Sequence, residues 1–254
     1  MFKRISVFIY GVASYAMFFG SFLYALGFVG NVGVPKSIDS IPQSPLWLAL
    51  AINSLLLGAF AVQHSVMARP GFKRWITRFI PKPAERSTYT LASSLLLIAL
   101  FTFWEPIGGV VWSVQDPTGK AVLYSLFGFG WALVLVATFL INHFDLFGLR
   151  QVWLYLVGKE YTHLKFGTPG FYKWVRHPLY VGWFFAFWAT PTMTVAHLVF
   201  ALLTTGYILI AIQLEERDLL NVHPEYAGYR KRVPMLIPRF KRGGNAGTPA
   251  AEAA

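Results

Sequence analysis

Two clusters of charged, hydrogen-bonding and aromatic residues near the C-terminal end of the chain could bind a charged ligand. Their members are Arg176, His177, Pro178, Tyr180 and Gly182 in the first cluster, and Glu215, Glu216, Tyr226 and Tyr229 in the second. Such residues are costly beside apolar segments in a chain that is 56% hydrophobic and 13% charged, unless they bind something. Guanidinium and carboxylate groups can pair with opposite charges on a ligand, and aromatic rings can contact a flat base or a cation. The pattern predicts a ligand site, in which Pro178 fixes the chain and Gly182 allows close approach.

Two histidines close to the ends of apolar segments are candidates for proton transfer. His64 ends one such segment, and His143 ends another together with Asp145. A histidine oriented by a carboxylate can take a proton from a substrate. We therefore predict His64 or His143 as the base, with Asp145 holding the imidazole. The other interpretations are that His64 satisfies a carbonyl group at a helix end, and that His143 and Asp145 pair to end a span.

Three further polar residues accompany His143. At helical spacing Arg150 and Gln151 share its face, while Asn142 lies on the adjacent face with Asp145. A polar surface of this kind can line a pocket. We predict that Asn142, Arg150 and Gln151 bind the substrate that gives up the proton.

The sequence limits other kinds of chemistry. The chain has no cysteine, which rules out disulfides, thiolate metal ligands and a cysteine nucleophile. The histidines lack a metal-ligand spacing such as H-x-x-x-H, so no metal site is predicted. One of the carboxylates Glu215 and Glu216 has a structural interpretation as well, as a helix-end group paired with Arg217 or Arg230.

The composition indicates a membrane protein that forms one domain. The mean hydropathy of the 254 residues is +0.51, above the range of ordinary soluble domains. Nine Trp and 12 Tyr are typical of aromatic belts at two membrane interfaces. The net charge of +11 does not favour nucleic-acid binding, because the basic residues lie in short segments between apolar runs, as in cytoplasmic loops.

Apolar runs of about 20 residues predict membrane-spanning helices. The predicted spans lie near residues 5–29, 46–67, 89–112 and 122–144, with a further apolar region at 179–214. Basic residues concentrate before the first span, after the second and after the fourth. The positive-inside rule therefore places the N-terminus and the polar clusters in the cytoplasm, an orientation that in a bacterial protein corresponds to the inner (cell) membrane.

The region 179–214 is predicted to be a helical hairpin. The tail that follows it is also basic, so this region must enter and leave the membrane on the same side. Its first half, about 11 residues long, gives roughly 16 Å of helix, about half the hydrocarbon thickness. Thr190-Pro191-Thr192 can then turn the chain within the membrane, although Pro191 could instead kink one long helix. The predicted fold is all-α, with four spans and a Pro-turned hairpin in a single domain (residues 1–242), a cytoplasmic cofactor pocket, and a disordered tail at 243–254.

Residues 165–232 resemble the membrane-embedded methyltransferases related to isoprenylcysteine carboxyl methyltransferase. The segments that carry the resemblance are R-H-P-L-Y-V-G at 176–182 and E-E at 215–216 followed by Tyr226 and Tyr229. In that family the two segments wrap S-adenosylmethionine (SAM). The resemblance implies that both clusters bind SAM. It also implies a nucleophilic acceptor that attacks the methyl carbon in line with the bond to the donor sulfur, which leaves as a neutral thioether. Such a reaction gains mainly from alignment in a dry site.

The whole chain is similar to bacterial methanethiol S-methyltransferases, through F-A-V-Q-H-S-V-M-A-R-P at 60–70 and I-N-H-F-D-L-F-G-L-R-Q at 141–151. Denitrification-associated membrane proteins share parts of this pattern. The resemblance implies methylation of methanethiol to dimethyl sulfide, with an acceptor that arrives through the lipid bilayer and without an obligatory protein partner. A small thiol benefits from a base, whereas a carboxylate acceptor would need none.

Three alternatives remain open at this point. The first is an isoprenylcysteine or isoprenoid carboxyl O-methyltransferase that uses the same SAM site. The second is an NADPH-dependent membrane reductase, since sterol reductases share a related helical core. The third is a non-enzymatic membrane chaperone or sensor.

Overall fold

A computed structural model describes residues 1–239 of the chain, most of which are helical. The elements are α1 (Phe2–Gly30), α2 (Leu46–Ala68), α3 (Pro70–Ile76), α4 (Glu85–Phe103), β1 (Val110–Ser113), α5 (Pro117–Ile141), α6 (His143–Leu146), α7 (Leu149–Leu156), α8 (Pro178–Trp188), β2 (Thr192–Thr194), α9 (Val195–Val222) and α10 (Tyr226–Arg232). Short 3-10 turns occupy Lys82–Ala84 and Gly170–Lys173. The predicted disordered tail at 243–254 lies outside the described residues.

Five of the helices are long and apolar enough to cross a membrane. They are α1, α2, α4 with the turn before it, α5 and α9, and the shortest of these candidate spans has 22 residues. At 1.5 Å per residue, 22 residues give about 33 Å, which covers a hydrocarbon core of about 30 Å. The predicted all-α, multi-pass membrane fold is confirmed.

The third span ends earlier than the sequence predicted. The expected span at 89–112 is wrong at both ends, because the helical segment begins at Lys82 and ends at Phe103. A proline at position 106 restricts the residue before it to extended conformations, and glycines follow at 108 and 109. The chain therefore leaves the helix at Trp104, and residues 110–113 form β1 instead.

The region around Pro191 is a helical hairpin rather than one kinked helix. Helix α8 ends at Trp188, the chain turns, and α9 returns from Val195. The expectation that the chain turns halfway through the membrane is wrong, however. Strand β2 pairs antiparallel with β1, which lies in the loop between α4 and α5, so the turn reaches the end of the bundle. The 11 residues of α8 cover only about 16 Å, and the non-helical residues 189–194 that follow carry the chain on to the end of the bundle. The hairpin also extends beyond the predicted 214, to Val222.

Both termini of the described chain lie at one end of the bundle. The guanidinium of Arg4 lies over the ring of Tyr155 in α7, and α10 packs on the segment that precedes α8. We call this the proximal end (residues 1–4, 69–84, 142–177 and 223–239). The distal end (residues 31–45, 104–116 and 189–194) carries the paired strands.

The long helices surround a central cavity instead of a solid core. Helix α1 packs along α4, α4 along α2, and α2 touches α9, which in turn touches α8, while α8 packs extensively along α5. Between α5 and α1, the edge contact of Phe22 with Trp131 closes the ring. Phe18 of α1 also stacks on Phe147, which directly follows α6. A mainly hydrophobic cluster around Phe28 and Trp104 closes its distal end.

Gly182 is a packing residue of α8. A Cβ atom built on Gly182 would lie 2.8 Å from the carbonyl oxygen of Gly130 in α5, and one on Gly130 would lie 2.5 Å from the nitrogen of Ala186. The two helices approach this closely because both positions lack a side chain. The predicted role of Gly182 in cofactor approach is therefore corrected to close packing of α8 on α5.

Candidate active site

The central cavity has a volume of about 1400 Å³ and receives side chains from α1, α2, α4, α5, α8 and α9. Its proximal part is polar and contains most of the residues that the sequence analysis singled out. The predicted residues that line it are His64, Asn142, His143, Asp145, Arg176, His177, Tyr180, Glu215, Tyr226 and Tyr229. The structure thus brings two distant sequence clusters and both histidines to one cavity.

The segment before α8 is held by the buried carboxylate of Glu216. Its Oε1 accepts from Nε of Arg176 at 2.6 Å and lies 3.0 Å from Nε2 of His177, and its Oε2 forms an ion pair with Nε of Arg230 at 2.9 Å. The backbone nitrogen of Arg176 also donates to the carbonyl oxygen of Pro234 at 2.9 Å. Pro178 occupies the first turn of α8, where its missing N–H costs nothing. These contacts fix where α8 begins.

Glu216 itself does not line the cavity. Its side chain is 2% exposed, so its predicted cofactor contact is corrected to a structural role. The pairing with Arg230 that the sequence offered as an alternative is present, although the carboxylate is buried within α9 and is not solvated at a helix end. The neighbouring Glu215 does line the cavity, with 46% of its side chain exposed, and accepts a hydrogen bond from the Tyr180 hydroxyl at 3.0 Å. Pro178 is buried outside the cavity wall and acts through the position of α8.

Aromatic residues form one wall of the proximal cavity. The ring of Phe166 contacts those of Tyr226 and Tyr229, with centroids 5.8 and 5.6 Å apart. The Tyr229 hydroxyl donates to the carbonyl oxygen of Tyr172 at 2.6 Å, and burial raises the pKa of Tyr229 to about 12. Burial, together with the adjacent Glu216 carboxylate, also raises the pKa of Tyr226, whose hydroxyl is buried. Both phenols stay neutral at physiological pH and remain hydrogen-bond donors.

His64 lies in a hydrogen-bonded group on the cavity wall. The Tyr89 hydroxyl is 2.8 Å from Nε2 of His64 and 3.0 Å from Nδ1, and the Ser93 hydroxyl is 3.3 Å from Nδ1. Ser93 donates to Gln63 at 3.2 Å, so its oxygen is left to accept from Nδ1–H. This network assigns the proton to Nδ1 and the lone pair to Nε2, which faces the Tyr89 hydroxyl.

His143 is enclosed by hydroxyl groups and not by Asp145. Its Nε2 is 2.8 Å from the Tyr15 hydroxyl and its Nδ1 is 2.8 Å from Oγ1 of Thr138, which donates onward to the carbonyl oxygen of Leu135. The imidazole is 3% exposed, stacks on Phe139, and burial lowers the pKa of His143. Both ring nitrogens are thus occupied, and Tyr15 does not line the cavity. The neutral ring bridges α1 and α5.

The predicted pairing of Asp145 with a histidine is wrong. The Asp145 carboxylate accepts from Nη1 of Arg150 at 2.8 Å and from the Tyr161 hydroxyl at 3.3 Å. Arg150 also donates to Thr162, and its guanidinium lies over the Tyr161 ring. Together these contacts fix the loop after α7 over the proximal end.

Arg150 and Gln151 do not line the cavity, so their predicted substrate contacts are corrected. Gln151 donates to the carbonyl oxygen of Asp145 at 3.0 Å, behind the cavity wall. Asn142 does line the cavity, but its Oδ1 accepts from the Asp145 nitrogen and caps α6. Its φ of 151° is one that asparagine tolerates better than most residues.

Sequence reasoning missed the polar face of α4. The cavity-lining residues of this helix recur at spacings of three and four, and they are Arg86, Tyr89, Thr90, Ser93, Ser94 and Leu97. Charged and hydroxyl side chains at helical spacing within an otherwise apolar span indicate an inward face. The basic residues before Tyr89 indicated a cytoplasmic loop. The helical spacing of Arg86 with Tyr89 and Thr90 was therefore not recognised.

The fold defines a multi-pass membrane protein whose helix bundle encloses a cavity that is polar at its proximal end. The chain is 61% identical to a methanethiol S-methyltransferase of Crocosphaera subtropica over 93% of both chains. It is 53% identical to one of Mycobacterium tuberculosis, over 93% of this chain and 97% of the relative. At lower similarity, Nurim of Sus scrofa is 28% identical over 76% of this chain and 78% of its own. No family model and no solved structure matches.

This chain therefore belongs to the methanethiol S-methyltransferase family, and it is a methyltransferase enzyme. The similarity to these relatives favours the predicted thiol S-methyltransferase over the membrane reductase and the non-enzymatic membrane protein. The methyltransferase assignment implies a methyl donor, and the polar proximal cavity is where the chain offers charged and hydrogen-bonding groups to such a ligand.

Proposed function

We propose that this protein transfers a methyl group from SAM to methanethiol and so forms dimethyl sulfide. The observation that carries the proposal is the composition of the cavity. Its proximal part presents opposite charges and hydrogen-bond donors, and it continues directly into apolar walls. A charged donor and a small apolar thiol can therefore meet inside one enclosed space. The names of the relatives at 61% and 53% identity support the same reaction.

The proximal residues match the groups that SAM presents. The exposed carboxylate of Glu215 suits an ammonium group or a ribose diol, and the cavity-lining cations Arg176 and Lys165 suit a carboxylate. Tyr180 and the Phe166 wall supply aromatic surface for a base or a sulfonium. When bound, SAM would supply a methyl group on a positively charged sulfur.

Tyr226 and Tyr229 add aromatic surface to the same part of the cavity. Both line the cavity beside Glu215, and the ring of Phe166 contacts both of theirs. Aromatic faces suit an adenine base or a positively charged sulfur.

We assign proton removal from the thiol to His64 together with Tyr89. Both side chains line the cavity, and the lone pair at Nε2 of His64 faces the Tyr89 hydroxyl at 2.8 Å. The thiol proton passes to the phenolic oxygen while the phenolic proton passes to Nε2, which leaves a thiolate and an imidazolium. A thiolate is the reactive form of a thiol. The pKa of a free thiol lies above neutrality, at about 8.5 for cysteine, so a base is needed to form the thiolate at pH 7. The dry surroundings favour the cancellation of charge when the thiolate meets a sulfonium.

Charge placement supports a cytoplasmic proximal end. The basic segments at 69–86, 150–176 and 230–232 all belong to it, whereas the distal loops carry Asp39, Glu105 and Asp116. By the positive-inside rule, the cavity opens toward the cytoplasm, where SAM is made. In a bacterium this orientation corresponds to the inner membrane.

A direct assay tests the reaction. The purified protein in lipid nanodiscs is supplied with methanethiol and SAM carrying a deuterated methyl group, and headspace mass spectrometry follows deuterated dimethyl sulfide. Formation of this product, and thermal stabilisation of the protein by SAM but not by NADPH, are the expected results. Methylation of an isoprenoid carboxylate in place of methanethiol would support the carboxyl methyltransferase instead.

A further inference from the structure

The cavity is much larger than the proposed reaction requires. Its volume of about 1400 Å³ exceeds the range of roughly 300–1,000 Å³ that is typical of small-molecule sites. Methanethiol is among the smallest organic thiols, and the polar groups that suit SAM lie in the proximal part alone. A large apolar volume is therefore left over toward the distal end.

The distal part of the cavity is lined almost wholly by hydrocarbon. Its lining residues lie toward the distal ends of their helices, and they are Val29, Leu57, Leu100, Phe101, Phe187 and Phe200. They are themselves members of the core cluster that contains Trp104 and closes the distal end, and each is at most 9% exposed. A ligand there gains from apolar burial and finds few partners for polar groups.

The apolar part is elongated. On α2, both His64 and Ser54 line the cavity, and ten residues of helix correspond to about 15 Å. An extended chain advances roughly 1.2 Å per bond, since three backbone bonds span about 3.6 Å. The distance from His64 to the distal end thus accommodates an alkyl chain of about 12 bonds.

Residues that both line the cavity and are exposed point to a lateral opening between α2 and α9. They are Ser54 and Gly58 of α2 and Leu203 of α9. A Cβ atom built on Gly58 would meet no atom within 4 Å. Because both helices span the membrane, the gap between them faces lipid tails.

The opening lies where α2 and α9 are not tied together. In the described part of the chain, side-chain contacts join the two helices near the proximal end, where Ser65 meets Tyr207 at 3.1 Å and Arg69 meets Asp218 at 2.8 Å. Distal to these contacts no side-chain hydrogen bond or ion pair joins the two helices within residues 1–239, and Ser54 and Gly58 of α2 are small. An apolar molecule dissolved in the bilayer can enter there without crossing water.

We propose that this protein also methylates longer alkanethiols, whose alkyl chains lie in the distal part of the cavity while the thiol reaches His64 and Tyr89. The proposal rests on the proposed function, since it uses the same methyl transfer. The S–H proton goes to the His64–Tyr89 pair, a new bond joins the methyl carbon to the acceptor sulfur, and the bond from that carbon to the donor sulfur breaks. The products are a methyl alkyl thioether and the demethylated donor. Shape and apolarity select the alkyl chain, and a long chain bearing a charged end is disfavoured in the distal part.

The wild-type enzyme in nanodiscs provides the first measurement, with methanethiol, 1-butanethiol and 1-octanethiol as acceptors and SAM in excess. We expect all three to be methylated, and KM in the aqueous phase to fall about fourfold for each added methylene, as expected for burial of a CH₂ group. Longer thiols also partition more strongly into the bilayer, and this enrichment alone would lower the apparent KM in the same way. A variant that narrows the opening separates passage into the cavity from enrichment in the lipid.

Gly58→Phe places an aromatic ring at the opening, and Gly206→Phe is the matched control on the lipid-facing surface of α9, where a Cβ atom also meets nothing within 4 Å. We expect Gly58→Phe to lower the ratio of kcat/KM for 1-octanethiol to that for methanethiol by at least tenfold, and Gly206→Phe to leave this ratio unchanged. Turnover of methanethiol without turnover of 1-octanethiol, or an equal ratio in both variants, would overturn this inference alone. Loss of turnover with every thiol in the wild type would instead count against the proposed function.

Discussion

The Tyr89 hydroxyl lies 2.8 Å from Nε2 of His64, and both side chains face the central cavity. The corresponding pair at the other histidine, Tyr15 and His143, has the same 2.8 Å separation, but Tyr15 lies outside the cavity wall. The same local chemistry therefore occurs twice, once open to a substrate and once as a bridge between α1 and α5. Position, not residue type, separates the candidate base from the structural histidine.

The first prediction follows from this difference. Replacing His64 by Gln, or Tyr89 by Phe, should lower turnover of methanethiol at pH 7 by about 10²-fold, the typical contribution of a general base. Raising the pH should restore part of the activity, because free thiolate accumulates without a base. SAM affinity, measured by calorimetry, should stay within about threefold of the wild type. A larger loss of turnover in His143→Gln with SAM still bound would move the base to His143.

Sequence reasoning predicted most of the polar residues that line the cavity, but not the different contacts that each of them makes. The residue types at 176–182 and 215–229 predicted where polar groups gather, because charges beside apolar spans need partners. It could not tell Glu215 from Glu216, since adjacent helical residues point about 100° apart and only the packing of α9 decides which one faces the cavity. It also paired Asp145 with His143 on spacing alone, whereas Arg150 and Tyr161 arrive from elements whose positions no local pattern specifies.

The two adjacent glutamates should behave differently when each is replaced by Gln. Glu215→Gln should lower SAM affinity at least tenfold in calorimetry, because the charge-assisted bond expected of this carboxylate is lost, and should leave the thermal midpoint nearly unchanged. Glu216→Gln should lower stability by about 3–5 kcal/mol, since Arg176 and Arg230 lose their buried counter-ion. Equal effects of the two substitutions on SAM affinity, with no change in thermal stability, would contradict the structural role assigned to Glu216.

Close packing of α5 and α8 gives a third prediction. Gly182→Ala should destabilise the protein by more than about 1 kcal/mol, because its Cβ would lie 2.8 Å from backbone and side-chain atoms of α5. Gly128→Ala is the control on the same helix pair, since its Cβ meets no atom within 4 Å and alanine favours helix. Thermal unfolding in detergent, followed by tryptophan fluorescence, measures both. A lower midpoint for the control than for Gly182→Ala would refute the packing role.

The fold was largely predictable because the bilayer imposes it. Runs of about 20 apolar residues must be helical where no water can satisfy the backbone, so the number and order of the spans follow from hydropathy. The residue at which α4 ends and the depth of the turn after α8 could not be predicted from hydropathy. Both depend on the pairing of β1 with β2, a contact between residues 110–113 and 192–194 that no local pattern reveals.

The distal end should respond to acid through Asp39. Its carboxylate accepts hydrogen bonds from Thr194 and Asn31, and His197 lies 3.9 Å away. Burial acts to raise its pKa, but the contacts with His197, Thr194 and Asn31 hold the pKa of Asp39 below its usual value. A depressed carboxyl pKa contributes stability above the unfolded value of about 3.9, and this contribution is lost as the pH falls through the folded pKa.

Asp39→Asn should therefore lower the thermal midpoint at pH 7 and reduce its decline below about pH 4. Asp116→Asn is a suitable control, because Asp116 caps the start of α5 at the same end of the bundle but has no buried partners. An acid response of Asp39→Asn identical to the wild type would show that other carboxylates control the transition.

The last prediction concerns orientation, and the absence of native cysteine makes it accessible. Gln115 is exposed in the distal loop before α5, and Ile237 is 81% exposed at the proximal end after α10. If the basic proximal end is cytoplasmic, Gln115→Cys should react with a membrane-impermeant maleimide in spheroplasts, whereas Ile237→Cys should react only after the membrane is opened. Labelling of Ile237→Cys in sealed spheroplasts, with Gln115→Cys protected, would invert the topology. The cavity would then open away from the compartment in which SAM is made, and SAM could not be the methyl donor without a route across the membrane.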